Sequence, residues 1–123
     1  MREYDYYRRL LSDRELPQAF VDRDALDENV EQVRSRADGL PVRIASKSLR
    51  CRRIVEYVLD HDGFRGVMCY HGDEAAHLAA HGFDDLLVAY PVWEESELRA
   101  VCRAVADGTT ITLMVDDEAH VER

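Results

Sequence analysis

Lys47 is the side chain with the clearest chemical potential, because it is the only lysine in a chain whose 16 basic residues are otherwise arginines. Arginine stays protonated in proteins, whereas a lysine can be tuned by burial or by its neighbours to a neutral, nucleophilic amine. Lys47 follows a short β-prone run at residues 41–46 and precedes a helical pattern. The carboxyl end of a strand is where α/β barrels place catalytic groups. The alternative is an ordinary surface lysine.

Three further side chains follow or end predicted strands. Tyr70 ends one of them, His71 comes next, and Tyr90 follows another. Because the carboxyl ends of parallel strands meet at one edge, we expect Tyr70 and Tyr90 to lie at the same barrel mouth as Lys47. They could contact a ligand ring or donate a hydrogen bond. The alternative is that they are aromatic side chains at the barrel edge whose hydroxyl groups face solvent. His71 is a candidate for acid/base catalysis or for contact with a ligand ring. The alternative is an ordinary solvated histidine in a turn.

The sequence gives little support to metal or nucleotide chemistry. His77 and His81 lie four residues apart on a predicted helix, a spacing that can bind a metal on one face. Leu78 stands where an HExxH motif has its glutamate, and no third ligand is evident, so we expect no metal site. Neither a GxGxxG motif nor a P-loop is present. The three cysteines contain no CxxC pair, which indicates free thiols and a cytoplasmic location.

Composition and charge exclude several classes of protein. The 123 residues are 46% hydrophobic and 33% charged, which is typical of one soluble globular unit. No apolar stretch approaches the roughly 20 residues that span a bilayer, and the first residues do not form a signal peptide, so we expect no membrane partner. The net charge of −9 would repel a nucleic-acid backbone, so we expect no nucleic-acid partner.

Apolar runs and helical stripes alternate along the chain. Residues 1–15 read as a helical extension. Asp24 is the predicted N-cap of the next helix, and Asp117 is a candidate cap for a final helix that has no room to form. A second helix begins at Cys51, a third ends near Gly82, and a fourth opens at residues 94–97. The predicted strands are residues 19–21, 42–46, 66–70, 85–89 and 109–115.

This alternation predicts an α/β fold of about five βα units with parallel strands and right-handed connections. A complete (β/α)8 barrel needs about 250 residues. We therefore expect a partial TIM-type barrel with an N-terminal helix, in which residues 16–123 form roughly half of the barrel.

Five segments of the chain carry a resemblance to a known family, in the family's order and spacing. They are residues 16–29, 43–48, 66–70, 73–75 and 85–91. These segments resemble the alanine racemase N-terminal domain superfamily, which comprises pyridoxal-phosphate enzymes of fold type III. The resemblance extends over residues 16–119 and is closest to the branch of D-threonine aldolase, D-serine dehydratase and amino acid deaminase/aldolase. It implies pyridoxal phosphate bound to Lys47 as a Schiff base, with Tyr70, His71 and Tyr90 as cofactor contacts, and a small-molecule amino acid as substrate.

The resemblance leaves the reaction open among aldol cleavage, deamination and racemisation. Alanine racemase itself is disfavoured, because Cys51 replaces the tyrosine that follows its lysine by four residues. The family's phosphate loops, metal ligands and C-terminal β domain fall outside this chain, so we expect this piece alone to be inactive. The alternatives are a non-catalytic pyridoxal-phosphate homeostasis protein and an inactive truncated fragment.

Two structural expectations follow from a partial barrel. Its unpaired strand edges favour association, so we expect a homo-oligomer. The strand at residues 19–21 either joins the barrel or, as in alanine racemases, pairs elsewhere and leaves the lysine strand as the first of the barrel.

Overall fold

Four short parallel strands form one sheet in the sequential order β1-β2-β3-β4. The computed structural model describes residues 2–123. The strands are β1 (Val42–Ala45), β2 (Phe64–Cys69), β3 (Leu86–Val88) and β4 (Ile111–Leu113). Because a parallel connection has to return to the same edge of the sheet, a helical segment lies between each strand and the next.

Within residues 2–123, seven helices accompany the sheet. They are α1 (Tyr4–Leu10), α2 (Arg23–Ala37), α3 (Ser46–Leu49), α4 (Arg52–Leu59), α5 (Gly72–Ala79), α6 (Glu95–Ala106) and α7 (Glu118–Glu122). None of these described helices is long and apolar enough to cross a membrane.

The core lies between one face of the sheet and the helices. Val67 and Val88 are fully buried on this face, and the helices contribute Val30, Val55 and Leu78 to the same cluster. Burying a side chain of this size stabilises the fold by about 1.5–3 kcal/mol. The alternation of buried and less buried residues along β2 and β3 therefore fixes which face turns toward the helices.

The other face of the sheet is less covered. Ala45, Met68, Leu87 and Thr112 are register partners across the four strands, and each is half-buried or exposed. Lys47 and Tyr70 lie just beyond the carboxyl ends of β1 and β2. The predicted site is therefore at the carboxyl edge of the sheet.

The α/β class, the parallel strands and the partial barrel are confirmed, but the sheet has four strands rather than five. Residues 19–21 form no strand. The Phe20 ring instead packs against Tyr7 of α1, with ring centroids 5.2 Å apart. The apolar run at 19–21 is used to hold the N-terminal helix, and the lysine strand β1 is the first strand of the sheet.

Three local predictions also differ from the structure. The N-cap of α2 is Asp22 rather than Asp24, and its carboxylate accepts a hydrogen bond from the Ala25 amide at 3.2 Å. The predicted second helix is divided into α3 and α4, because Arg50 adopts a left-handed conformation with φ of 46°. The final helix does form as α7, and the Asp117 carboxylate caps it at 2.8 Å from the Ala119 amide.

Candidate functional site

Lys47 lies in the short helix α3, directly after strand β1. The residue before it, Ser46, is buried, and its hydroxyl donates a hydrogen bond to the carbonyl oxygen of Met68 at 3.1 Å. This bond ties the end of β1 to β2 and fixes the backbone from which Lys47 projects. The lysine side chain is exposed, and its Nζ donates a hydrogen bond to the hydroxyl of Tyr90 at 3.0 Å.

The environment of Lys47 does not favour a neutral amine. Its hydrogen bond to Tyr90 raises the pKa of the ammonium group and outweighs the opposing effect of burial. A hydrogen bond to the charged form of a group favours that form. The sequence allowed for a lysine tuned toward the nucleophilic amine, but in this state the side chain is held as an ammonium ion.

The structure brings the four predicted site residues into one continuous group at the carboxyl edge of the sheet. The ring of Tyr70 lies edge-on between its two neighbours, 5.1 Å from the ring of Tyr90 and 5.8 Å from that of His71. Nζ of Lys47 lies 5.5 Å from the centroid of Tyr90. Separate strand ends therefore deliver an amine, two phenols and an imidazole to the same place, as the sequence predicted. Their roles toward a cofactor stay a prediction.

His71 also has a structural role as a helix cap. Its Nδ1 accepts a hydrogen bond from the Glu74 amide at 3.2 Å and so caps helix α5. In the neutral ring this bond leaves the proton on Nε2, which is the nitrogen free to donate toward a ligand. His71 was expected to lie in a turn, but it is the N-cap of α5, and Gly72 is already the first helical residue.

Two glutamates that the sequence analysis did not single out fix the loop that bears Tyr70 and His71. A carboxylate oxygen of Glu74 accepts a hydrogen bond from the Tyr70 amide at 2.7 Å. Glu97 reaches across from α6 and accepts from the Gly72 amide at 2.8 Å. Glu74 could have been found as the third residue after a helix cap. Glu97 has no local signal, because its contact joins two helices.

One cluster within residues 2–123 has the composition of a metal site. Ligand atoms of His71, Asp73 and Glu97 lie within 4.8 Å of one another. His71 Nδ1 and one Glu97 oxygen already accept hydrogen bonds from the Glu74 and Gly72 amides, so a metal would have to use the other nitrogen and the other oxygen or displace these bonds. His81 lies beyond the end of α5, its ring nitrogen Nδ1 bonds to the His77 carbonyl oxygen at 2.7 Å, and the two imidazole rings lie 4.4 Å apart.

A cavity of about 810 Å³ lies beside this group, between the α3–α4 segment and helix α5. Lys47, Tyr70 and His71 line one part of it. Arg50 and Arg52 line another. The predicted site thus adjoins an open volume with basic walls, large enough for a small organic ligand.

All three cysteines are free thiols, as the sequence predicted. Burial raises the pKa of the Cys69 thiol to about 12, so this residue is an inert core side chain and not a nucleophile. Cys51 is exposed beside the cavity, at the N-cap of α4.

Comparison with known proteins shows a partial similarity. No protein-family model matches the chain. Two curated sequences, both 3-hydroxy-D-aspartate aldolase, from Paracoccus denitrificans and from its strain Pd 1222, are each 28% identical over 112 residues. The match covers 89% of this chain and spans 29% of the length of each relative. Over most of its length, therefore, the chain is similar to part of an aldolase named for a 3-hydroxy amino acid.

Proposed function

We propose that this chain is part of a pyridoxal-phosphate-dependent enzyme that cleaves a 3-hydroxy amino acid, with Lys47 as the residue that holds the cofactor. The observation that carries the proposal is the position of the chain's only lysine. It lies at the end of β1 with Nζ 3.0 Å from Tyr90, beside a cavity, in a group built from three strand ends.

The residues present fit the cofactor. A primary amine can condense with its aldehyde, which the fifteen arginines cannot do. Tyr70 and Tyr90 offer aromatic faces and hydroxyl groups next to that amine, and the Nε2 of His71 offers a donor. Bound pyridoxal phosphate supplies an electron sink that weakens the bonds at the substrate Cα.

The chain's own residues control a proton at Lys47. Nζ must lose its proton before it can react with a carbonyl group. The hydrogen bond to Tyr90 raises the pKa of Lys47 and so makes this loss less favourable. Tyr90 thus holds the resting amine in place and protonated. Ligand binding that withdraws the Tyr90 hydroxyl would free the amine at the moment when it is needed.

The similarity to two proteins named 3-hydroxy-D-aspartate aldolase supports aldol cleavage over deamination and racemisation. Because the chain spans only 29% of the length of these relatives, the substrate and the reaction are proposed for the whole protein. The free thiols support a reducing compartment such as the cytoplasm. A homo-oligomer stays a prediction, because further strands of a longer barrel would equally pair with the edges that β1 and β4 leave open within residues 2–123.

The attachment of the cofactor is tested by chemical trapping. The whole protein, of which this chain is a part, is incubated with pyridoxal phosphate, reduced with borohydride and digested, and the modified peptide is sequenced by mass spectrometry. We expect the label on the peptide that contains Lys47, with the N-terminal amine as the other primary amine to be checked. A label confined to the N-terminus, or equal labelling of a Lys47→Ala protein, would contradict the assignment.

The reaction is tested by its products. Aldol cleavage of 3-hydroxyaspartate yields glycine and glyoxylate, deamination yields oxaloacetate and ammonia, and inversion at Cα yields only the diastereomeric 3-hydroxyaspartate. A protein that only stores the cofactor yields none of these. With the whole protein, of which this chain is a part, we expect glyoxylate to form in amounts equal to glycine. The absence of both products in a whole-protein preparation that traps the cofactor would favour the homeostasis alternative.

A further inference from the structure

The cavity beside Lys47 carries a local charge opposite to that of the whole molecule. The chain has a net charge of −9. The charged residues that line the cavity are Lys47, Arg50 and Arg52, against the single carboxylate of Glu74. Three cations against one carboxylate around a concave volume create a local potential that favours the binding of an anion there.

These positive charges are only partly neutralised by the protein. The guanidinium group of Arg52 lies 3.3 Å from Glu56, but the same carboxylate is 3.7 Å from Arg53, so one anion serves two cations. Arg50 has no carboxylate within 4.0 Å among residues 2–123. The Glu74 carboxylate already accepts a hydrogen bond from the Tyr70 amide.

Arg50 is also held in position. Its Nε donates a hydrogen bond to the carbonyl oxygen of Lys47 at 3.1 Å, and its backbone is in the left-handed conformation that separates α3 from α4. The two terminal nitrogens of the guanidinium group are therefore left for a ligand, at a fixed distance along the chain from the reactive amine. A planar pair of N–H donors matches a carboxylate or a phosphate group.

We propose that Arg50, assisted by Arg52, binds the anionic group of the ligand that reacts at Lys47. The chemical class is a small carbonyl compound or amino acid with a carboxylate or phosphate group remote from the reacting carbon. The identity of that ligand rests on the proposed function, but the anion site itself does not. Lys47 would select for a carbonyl group and Arg50 for the charge at the other end of the molecule.

The first experiment measures anion binding without any reaction at Lys47. Inorganic phosphate and succinate are titrated separately into the protein, and the Nε–H signals of Arg50 and Arg52 are followed by NMR. We expect saturable shifts with at least one anion, weakened about tenfold in Arg50→Gln, the size expected for loss of one charge-assisted hydrogen bond. A stronger response to phosphate points to a phosphorylated ligand, and a stronger response to succinate to a substrate carboxylate.

Arg53→Gln is the matched control. Arg53 lies three residues after Arg50 and carries the same charge. It is not among the residues that line the cavity. Its removal should leave anion binding nearly unchanged. Equal weakening by Arg53→Gln and Arg50→Gln would show a diffuse electrostatic effect and overturn the proposal, as would the absence of shifts with both anions.

The second experiment separates this proposal from the proposed function. Borohydride trapping at Lys47 is compared for pyridoxal phosphate and for pyridoxal, which lacks the phosphate, in the original protein and in Arg50→Gln. If phosphate is the bound anion, the original protein should trap pyridoxal phosphate in preference to pyridoxal, and Arg50→Gln should lose that preference. If trapping is unaffected in the variant and no anion binds, the anion site is contradicted and the proposed function is not. If an anion binds at Arg50 but no cofactor is trapped at Lys47, the proposed function is contradicted and the anion site is not.

Discussion

The two ends of the sheet both hold basic side chains, but they treat the charge differently. At the amino end, Arg43 of β1 and Arg65 of β2 both bond to Asp85, with N–O distances of 2.8 and 3.0 Å. Each carboxylate oxygen of Asp85 thus has its own guanidinium partner, and Arg43 also donates to the Asp85 carbonyl oxygen. At the carboxyl end, Lys47 donates to a neutral phenol, and Arg50 has no carboxylate partner within residues 2–123.

This difference separates a group that holds the fold from a group available for chemistry. Removing one partner from the Asp85 network leaves charges unpaired beside the sheet, which costs stability. Lys47 and Arg50 can change partners at little cost, because their present partners are a hydroxyl and a backbone carbonyl group. The same separation between a stabilising and a reactive end is a general property of α/β barrels.

The largest expected effect is on function at the carboxyl end. Lys47→Arg keeps the positive charge but removes the only primary amine among the side chains, so covalent trapping of pyridoxal phosphate at residue 47 should be lost completely. The thermal unfolding midpoint should stay the same, because the side chain is exposed and its partner is a phenol. Trapping and calorimetry on the same preparation test both halves. A large loss of stability would place Lys47 with the structural group instead.

The largest effect on stability should come from Gly66, which lies in β2 at the amino end. It has a φ of 69°, and an added Cβ would overlap the Asp85 carbonyl oxygen and the Arg43 side chain. Strain at this backbone conformation and the steric overlap together should cost about 3 kcal/mol or more for Gly66→Ala. Urea unfolding measures this change in the free energy of unfolding.

Gly39→Ala is a suitable control for the Gly66 prediction. Gly39 also has a positive φ, 83°, but nothing lies within 4 Å of an added Cβ. It therefore reports the backbone strain alone, about 1 kcal/mol. If both substitutions cost the same, the close packing of Arg43 and Asp85 over Gly66 does not contribute.

A smaller loss should follow from Asp85→Asn. Asparagine tolerates the φ of 53° at this position but loses the charge that both arginines face. We expect a cost of about 1–3 kcal/mol at pH 7. Glu31→Gln, which breaks the exposed pair with Arg34 within helix α2, should have a much smaller effect.

The pH dependence of that cost follows from the Asp85 carboxyl group. Hydrogen bonds from Arg43 and then Arg65 hold its pKa below the ordinary value in the folded protein. Its contribution is therefore present above the unfolded pKa of about 4 and is lost as the pH falls through the folded value. The difference in unfolding free energy between the original protein and Asp85→Asn should shrink below about pH 4. A difference that is constant down to pH 2 would show that the ion pairs are not its source.

The sequence predicted the carboxyl end better than the amino end, for a physical reason. Lys47, Tyr70 and Tyr90 follow or end their strands, so the parallel topology alone brings them together. The bonds of Asp85 to Arg43 and Arg65 depend on register between strands and on a glycine that permits close approach. The strand predicted at residues 19–21 was wrong because an apolar run does not reveal whether its partner is a strand or, as for Phe20, the ring of Tyr7.

The smallest effect, and the sharpest test of the comparison, concerns the hydrogen bond between Lys47 and Tyr90. Tyr90→Phe removes the acceptor that raises the pKa of Lys47, so this pKa should fall toward the ordinary value. Because Lys47 is the only lysine, a protein labelled with ¹⁵N at lysine Nζ gives one signal whose pH titration reports the pKa directly. Tyr70→Phe is the control, because Tyr70 packs on Tyr90 but is not the acceptor.

The amine of Lys47 in Tyr90→Phe should also react faster with pyridoxal phosphate at a fixed pH below the pKa, since more of it is unprotonated. An unchanged Lys47 pKa in Tyr90→Phe would mean that the Tyr90 phenol does not stabilise the ammonium form of Lys47.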